Sequence, residues 1–121
     1  MTEQTSADQG HALTVRWSLA EAPADVAERL QEYVAGTSHA KFSAMAPLRF
    51  KTWRMRRGEW FEGCYVFESE SARADFQATF TAGAAASPGS RIIGSSPILI
   101  EPCEVVGVAE GGAGFLAAPS Y

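Results

Sequence analysis

The chain has 121 residues, of which 46% are hydrophobic and 20% charged, and a net charge of −4. A chain of this length and composition builds one globular core, and its acidic balance argues against a nucleic-acid surface, which carries a basic excess. No run of about 18 apolar residues is present, so no membrane span is expected. The opening MTEQTSADQG has neither the cationic nor the apolar region of a secretion signal, which gives a cytoplasmic expectation.

Residues 1–10 and 111–121 read as flexible tails around a domain at 11–110, with Phe115, Leu116 and Tyr121 available to dock on a partner. His11 to Leu19 alternates, with Leu13, Val15, Trp17 and Leu19 on one face and Thr14, Arg16 and Ser18 on the other, so it reads as the first strand. A helix is expected from Ala24 to about Ala44. Pro23 lies near its first turn, Val26, Leu30, Tyr33 and Val34 recur at helical spacing, and Gly36 ends or bends it.

Leu48 to Glu68 follows as a hairpin holding two of the three tryptophans and three of the seven phenylalanines. A two-residue loop at Arg57-Gly58 predicts the pairs Met55 with Trp60, Trp53 with Glu62, Lys51 with Cys64 and Arg49 with Val66, all on one face. The other face then gathers Leu48, Phe50, Thr52 and Arg54 against Phe67, Tyr65, Gly63 and Phe61 as an aromatic core face. Mixing tryptophan, methionine and cysteine with charges, the first face suits a lined cavity or a subunit contact. A three-residue loop would shift this register.

Ser69 is placed to cap a second helix with Glu70 in its first turn, and Ala72, Phe76 and Phe80 form its inward stripe. Gly83 to Gly89, with Pro88, breaks it. From Ser90 to Val108, Pro97 and Pro102 interrupt short β segments, which read together as one bent or broken edge strand. The order β-α-β-β-α-β is the ferredoxin-like plan, α+β, with an antiparallel sheet covered on one face by two helices. Large apolar groups on both faces of the hairpin predict a homodimer in which the uncovered sheet faces meet.

Lys51-x-Trp53, then Gly63-x-Tyr65-x-Phe67, Ser69 and an Ala-rich helix resemble the YdhR-like mono-oxygenase family of the dimeric α/β-barrel superfamily. The likeness runs from about residue 11 to 110 and is specific over 48–80. It implies a ferredoxin-like dimer, and related families include cofactor-independent mono-oxygenases of aromatic polyketides and quinols, haem-degrading enzymes and stress-responsive proteins. Haem degradation does not fit, because its Asn, Trp and His set is not matched and the chain has no Asn.

Cys64 and Cys103 lack a CxxC or Cys/His setting, His11 and His39 stand alone, and no phosphate-binding glycine motif occurs, so neither metal nor cofactor is expected. An electron-rich phenol, once deprotonated, reduces dioxygen itself; the protein must grip the ring, exclude water and stabilise an oxyanion. Lys51 and Trp53 are the catalytic candidates, Lys51 as oxyanion partner or base and Trp53 as ring contact. Arg16, Arg49, Met55, Trp60, Glu62 and Cys64 are the expected substrate-binding residues, Glu62 orienting Lys51 or pairing with it. The alternative is a non-catalytic dimer that holds a small aromatic or apolar ligand, or a stress-responsive barrel protein.

Overall fold

In the computed structural model, which describes residues 11–115, the first strand β1 spans Ala12–Ser18. Its alternation buries Leu13, Val15 and Trp17 against the helices and leaves Thr14, Arg16 and Ser18 half-buried on the other face. A single helical run follows in three parts: α1 (Val26–Tyr33), a π-turn (Val34–Ser38) and α2 (His39–Ser43). Gly36 thus bends the predicted helix instead of ending it, inside a turn where the His39 amide donates to the Val34 carbonyl. A π-turn accommodates one extra residue, which changes the direction of the side chains after it. Ser38 and Phe42 are buried there.

Strands β2 (Leu48–Arg56) and β3 (Trp60–Phe67) form the hairpin. Their loop has three residues, Arg57, Gly58 and Glu59; Gly58 takes the left-handed φ of +76°, and the Glu59 amide donates to the Arg56 carbonyl at 2.9 Å. The observed register therefore pairs Arg56 with Trp60, Met55 with Phe61, Arg54 with Glu62, Trp53 with Gly63, Thr52 with Cys64 and Lys51 with Tyr65. The predicted two-residue loop is corrected by one position. Because side chains alternate with a period of two, that single step moves one strand's set of side chains to the opposite face relative to the other's.

Helix α3 (Glu70–Gly83) begins as expected, with the Ser69 hydroxyl accepting from the Ala72 amide at 3.1 Å, and Ala72, Phe76 and Phe80 pack on the core. The expected edge strand from Ser90 is a correction. After a 3₁₀ turn at Ala84–Ala86, a short helix α4 (Pro88–Ile93) intervenes, and β4 is only Leu99–Cys103. Ser87 caps α4 by accepting from the Ser90 amide, Pro88 fills its first turn and Gly94, at φ +89°, closes it, a full set of helix punctuation. Its purpose in the fold is visible at Trp17, whose Nε1 donates to Ser90 Oγ at 3.0 Å, while Ser90 Oγ donates to the Ala84 carbonyl at 2.6 Å. Gly89 lies against the Trp17 ring so closely that a Cβ there would stand 3.0 Å from it.

The sheet order is β2-β3-β1-β4 with every neighbouring pair antiparallel, and the helices pack on one face, an α+β arrangement compatible with the ferredoxin-like plan. The core joins Leu13, Val15, Trp17, Phe61, Tyr65 and Phe67 from the sheet to Val26, Leu30, Val34 and Phe42 from the helical run. Among the described residues no helix is long and apolar enough to cross a membrane.

Candidate active site

Registers across all four strands sort the side chains into two faces. Toward the helices stand the rows Met55–Phe61–Trp17, Trp53–Gly63–Val15 and Lys51–Tyr65–Leu13. Away from them stand Arg56–Trp60–Ser18, Arg54–Glu62–Arg16–Leu99, Thr52–Cys64–Thr14–Glu101 and Phe50–Val66–Ala12–Cys103. The candidate residues expected on one surface are thereby divided. Lys51 and Trp53 lie under the helices; Arg16, Trp60, Glu62 and Cys64 lie on the open face. Phe50, Thr52 and Arg54, expected in the core, belong to the open face as well.

Beneath the helices, a cavity of about 160 Å³ is lined by Lys51, Trp53, Tyr65, Phe42, Phe76 and Ser38, among others. The Lys51 amine rests on three ring faces, with its Nζ 3.6 Å from the Phe42 centroid, 4.2 Å from Tyr65 and 4.5 Å from Trp53. No carboxylate among the described residues pairs with it. Burial first, and then repulsion from Lys41, push its pKa down to about 6, while the electron-rich ring faces act in the opposite sense by favouring the ammonium form. Gly63 makes this arrangement possible: a Cβ there would stand 3.2 Å from both Lys51 Cε and Tyr65 Cε1, so a larger residue would crowd the lysine stem and the phenol ring. Burial also raises the Tyr65 hydroxyl pKa, so that group stays a neutral donor.

Ser38 is the residue that sequence reasoning missed. Its side chain is only 1% exposed, lines the same cavity, and its Oγ has no hydrogen-bond partner. A buried hydroxyl without a partner carries a desolvation cost that a bound polar group would relieve. The available signal was Gly36 within a helical pattern, which marks the π-turn that delivers Ser38. His39, in the next position, places its ring 6.1 Å from that of Trp53.

On the open face Glu62 is 1% exposed and accepts from Arg16 Nε at 2.9 Å and Nη2 at 2.7 Å, from Arg54 Nε at 2.9 Å and Nη2, and from the Cys64 thiol at 3.2 Å. Glu62 therefore neither orients nor pairs with Lys51, which is on the other side of the sheet. Burial alone would raise the Glu62 carboxyl, but the hydrogen bonds from Arg54, Arg16 and Cys64 outweigh it and hold the group below the usual carboxylate range. Burial, then the bond to Glu62 and its charge, push the Cys64 thiol up, which removes thiolate character. Arg16 stacks its guanidinium 4.4 Å from the Trp60 ring. The arrangement is a closed electrostatic cluster.

Of the remaining candidates, Arg49 is exposed at the irregularity between Leu48 and Phe50, and Met55 lines a neighbouring cleft of about 180 Å³ with Leu30, Val34 and Phe61. A wider depression of about 470 Å³ lies between Met45 and the start of α3; it is more open to solvent, Lys51 does not line it, and Phe76 and Thr79 separate it from the lysine cavity. Among the described residues no group of three or more His, Cys, Asp or Glu is placed to hold a metal ion.

What fold and site define together is an α+β domain with a lysine amine, unpaired by any carboxylate among the described residues, on the wall of an aromatic cavity. No protein-family model, curated protein or solved structure matches the chain.

Proposed function

We propose that the cavity binds a small aromatic hydroxyl compound and that the protein is a cofactor-independent mono-oxygenase of quinol-like substrates. The observation that supports this best is the Lys51 amine, unpaired by any carboxylate among the described residues and enclosed by Phe42, Trp53 and Tyr65. A cavity of about 160 Å³ is close to the roughly 150 Å³ that accommodates one benzene ring, so a monocyclic substrate is favoured. Neutral Lys51 takes the proton from the bound hydroxyl, and the ammonium it becomes is held by the ring faces beside the new phenolate. Ser38 Oγ donates to a substrate oxygen. The phenolate then gives its electrons to dioxygen, so that a dihydroxyarene and one dioxygen yield a hydroxyquinone and one water. Both oxygen atoms are accounted for, and the substrate itself is the reductant.

Dioxygen uptake by metal-stripped protein with a panel of hydroquinones tests this. Uptake above the autoxidation background is expected, strongest with single-ring substrates; a rate equal to background across the panel would leave a non-catalytic ligand-binding protein, the second reading that the small, ring-filled cavity also favours.

The homodimer is part of the same proposal. A solvated antiparallel face should be polar, yet here Trp60, Phe50, Val66 and Leu99 stand in its rows, half-buried, around the Glu62 cluster. The chain after β4 returns across the width of the sheet, and Phe115 stacks on Phe50 at 6.0 Å between centroids. A second copy laid on this face would cover the rest. Mass measurement in solution at micromolar concentration should give twice the chain mass, and a monomer would defeat the facing-sheet arrangement.

A further inference from the structure

We propose that Lys51 is also a carbonyl-capturing nucleophile, whose amine forms a reversible imine with small single-ring aldehydes or ketones that enter the cavity. The inference rests on the cavity being a ligand site, as read above, and is independent of dioxygen chemistry.

Four observations lead to it. The amine is an end group on the wall of a ring-sized cavity, and no carboxylate among the described residues ties it up as an ammonium. Burial lowers its pKa to about 6, so its lone pair is free at neutral pH, the condition that imine-forming lysines meet by desolvation. The ring faces of Trp53, Phe42 and Tyr65 give an aromatic carbonyl compound surfaces to stack on. Ser38 Oγ, buried and unpartnered in the same space, supplies a donor to the carbonyl oxygen.

The step balances without an oxidant. The Lys51 nitrogen lone pair attacks the carbonyl carbon, the carbonyl oxygen leaves as water with the two amine protons, and a C=N bond replaces C=O. A wall built of aromatic groups disfavours the return of that water. Lys41 from α2, Tyr33 from α1 and Tyr65 from β3 share the cavity wall with the amine, the His39 ring is 6.1 Å from that of Trp53, and Cys64 acts on the amine from the opposite face of the sheet. Of these Lys41 contributes the repulsion, so the reactive form of Lys51 should persist down to mildly acidic pH.

The experiment uses the whole chain, benzaldehyde as probe and sodium cyanoborohydride to reduce any imine to a stable benzylamine, followed by peptide mapping. Lys41 and Lys51 are the only lysines; Lys41 is exposed but also lines the cavity, so it is the reference for amine reactivity and the α-amino group is the reference for cavity occupancy. Benzylation of Lys51 is expected to be about tenfold or more faster than that of Lys41 near pH 7, falling as pH drops through about 6. A single-ring phenol added as competitor should suppress labelling at Lys51 and leave the α-amino group unaffected. Labelling that favours Lys41 or the α-amino group, or that ignores the competitor, overturns the proposal. Failure here with intact quinol-dependent uptake removes the imine and keeps the base; labelling without uptake does the reverse.

Discussion

A Lys51→Met variant is expected to lose quinol-dependent dioxygen uptake by about 10²-fold or more and, in the same protein, to become more stable than the wild type. The two effects have one cause. In the wild type the half-buried amine is largely screened from water among ring faces, with no carboxylate partner among the described residues, so at neutral pH the folded chain holds a neutral lysine that would be protonated when unfolded. Methionine fills the same slender path and its sulfur is compatible with aromatic surroundings, so a gain of about 1–3 kcal/mol at pH 7 is expected.

The sign of the pH dependence follows from the direction of the shift. Lys51 is lowered from 10.5 to about 6, so across that window the unfolded chain binds a proton that the folded chain does not, and stability rises with pH by up to about 1.4 kcal/mol per unit. The raised Cys64 thiol has the opposite slope, because above its ordinary range the unfolded chain loses that proton first. Urea unfolding between about pH 6 and about pH 8 isolates the lysine, and Lys51→Met should flatten the rise over that range. A variant that keeps the wild-type slope, or unfolds more easily, would show that the amine is solvated or paired and would remove the basis for its chemistry.

Glu62→Ala is the second large effect, and it falls on stability. The substitution removes the acceptor of the Arg16 and Arg54 side chains and of the Cys64 thiol in the middle of the open face. Breaking a fully buried charge cluster in this way costs about 3–5 kcal/mol, but Arg16 and Arg54 retain side-chain exposures of 34% and 59% and can turn to water, so about 2–3 kcal/mol is expected. Because the folded Glu62 pKa is depressed, its contribution is present above the ordinary carboxylate range and disappears as pH falls through the folded value. Stability should therefore fall more steeply with acid in the wild type than its other carboxylates would dictate, and Glu62→Ala should remove that component of the slope. A loss of stability within error at pH 7 would mean that the cluster is surface decoration.

The open-face cluster and the lysine cavity show what local pattern leaves open. Each strand's own alternation was legible: Lys51, Trp53 and Met55 do share a face, and so do Trp60, Glu62 and Cys64. Which of these sets face each other depended on one residue of loop length, and Arg-Gly-Glu read as easily with two loop residues as with three. Ser38 was illegible for a different reason. A serine late in a helical pattern has no signature of burial, and only the π-turn around Gly36 turns it inward. Helix α4 was hidden by Pro88, Gly89 and Gly94, which are breakers within an element and punctuation at its ends.

By itself the sequence determined the order of the main elements, the buried face of β1, the Ser69 cap, the inward stripe of α3 and the hairpin, because periodicity, capping and turn chemistry act over a few neighbouring residues. The tertiary structure decided that Lys51 meets Phe42, Trp53 and Tyr65 without a counter-charge, that Glu62 is given to Arg16 and Arg54, and that Ser38 joins the lysine. Those are meetings between segments distant along the chain, and their outcome is set by register and by how helices seat on a sheet, where a shift of one residue exchanges the two faces.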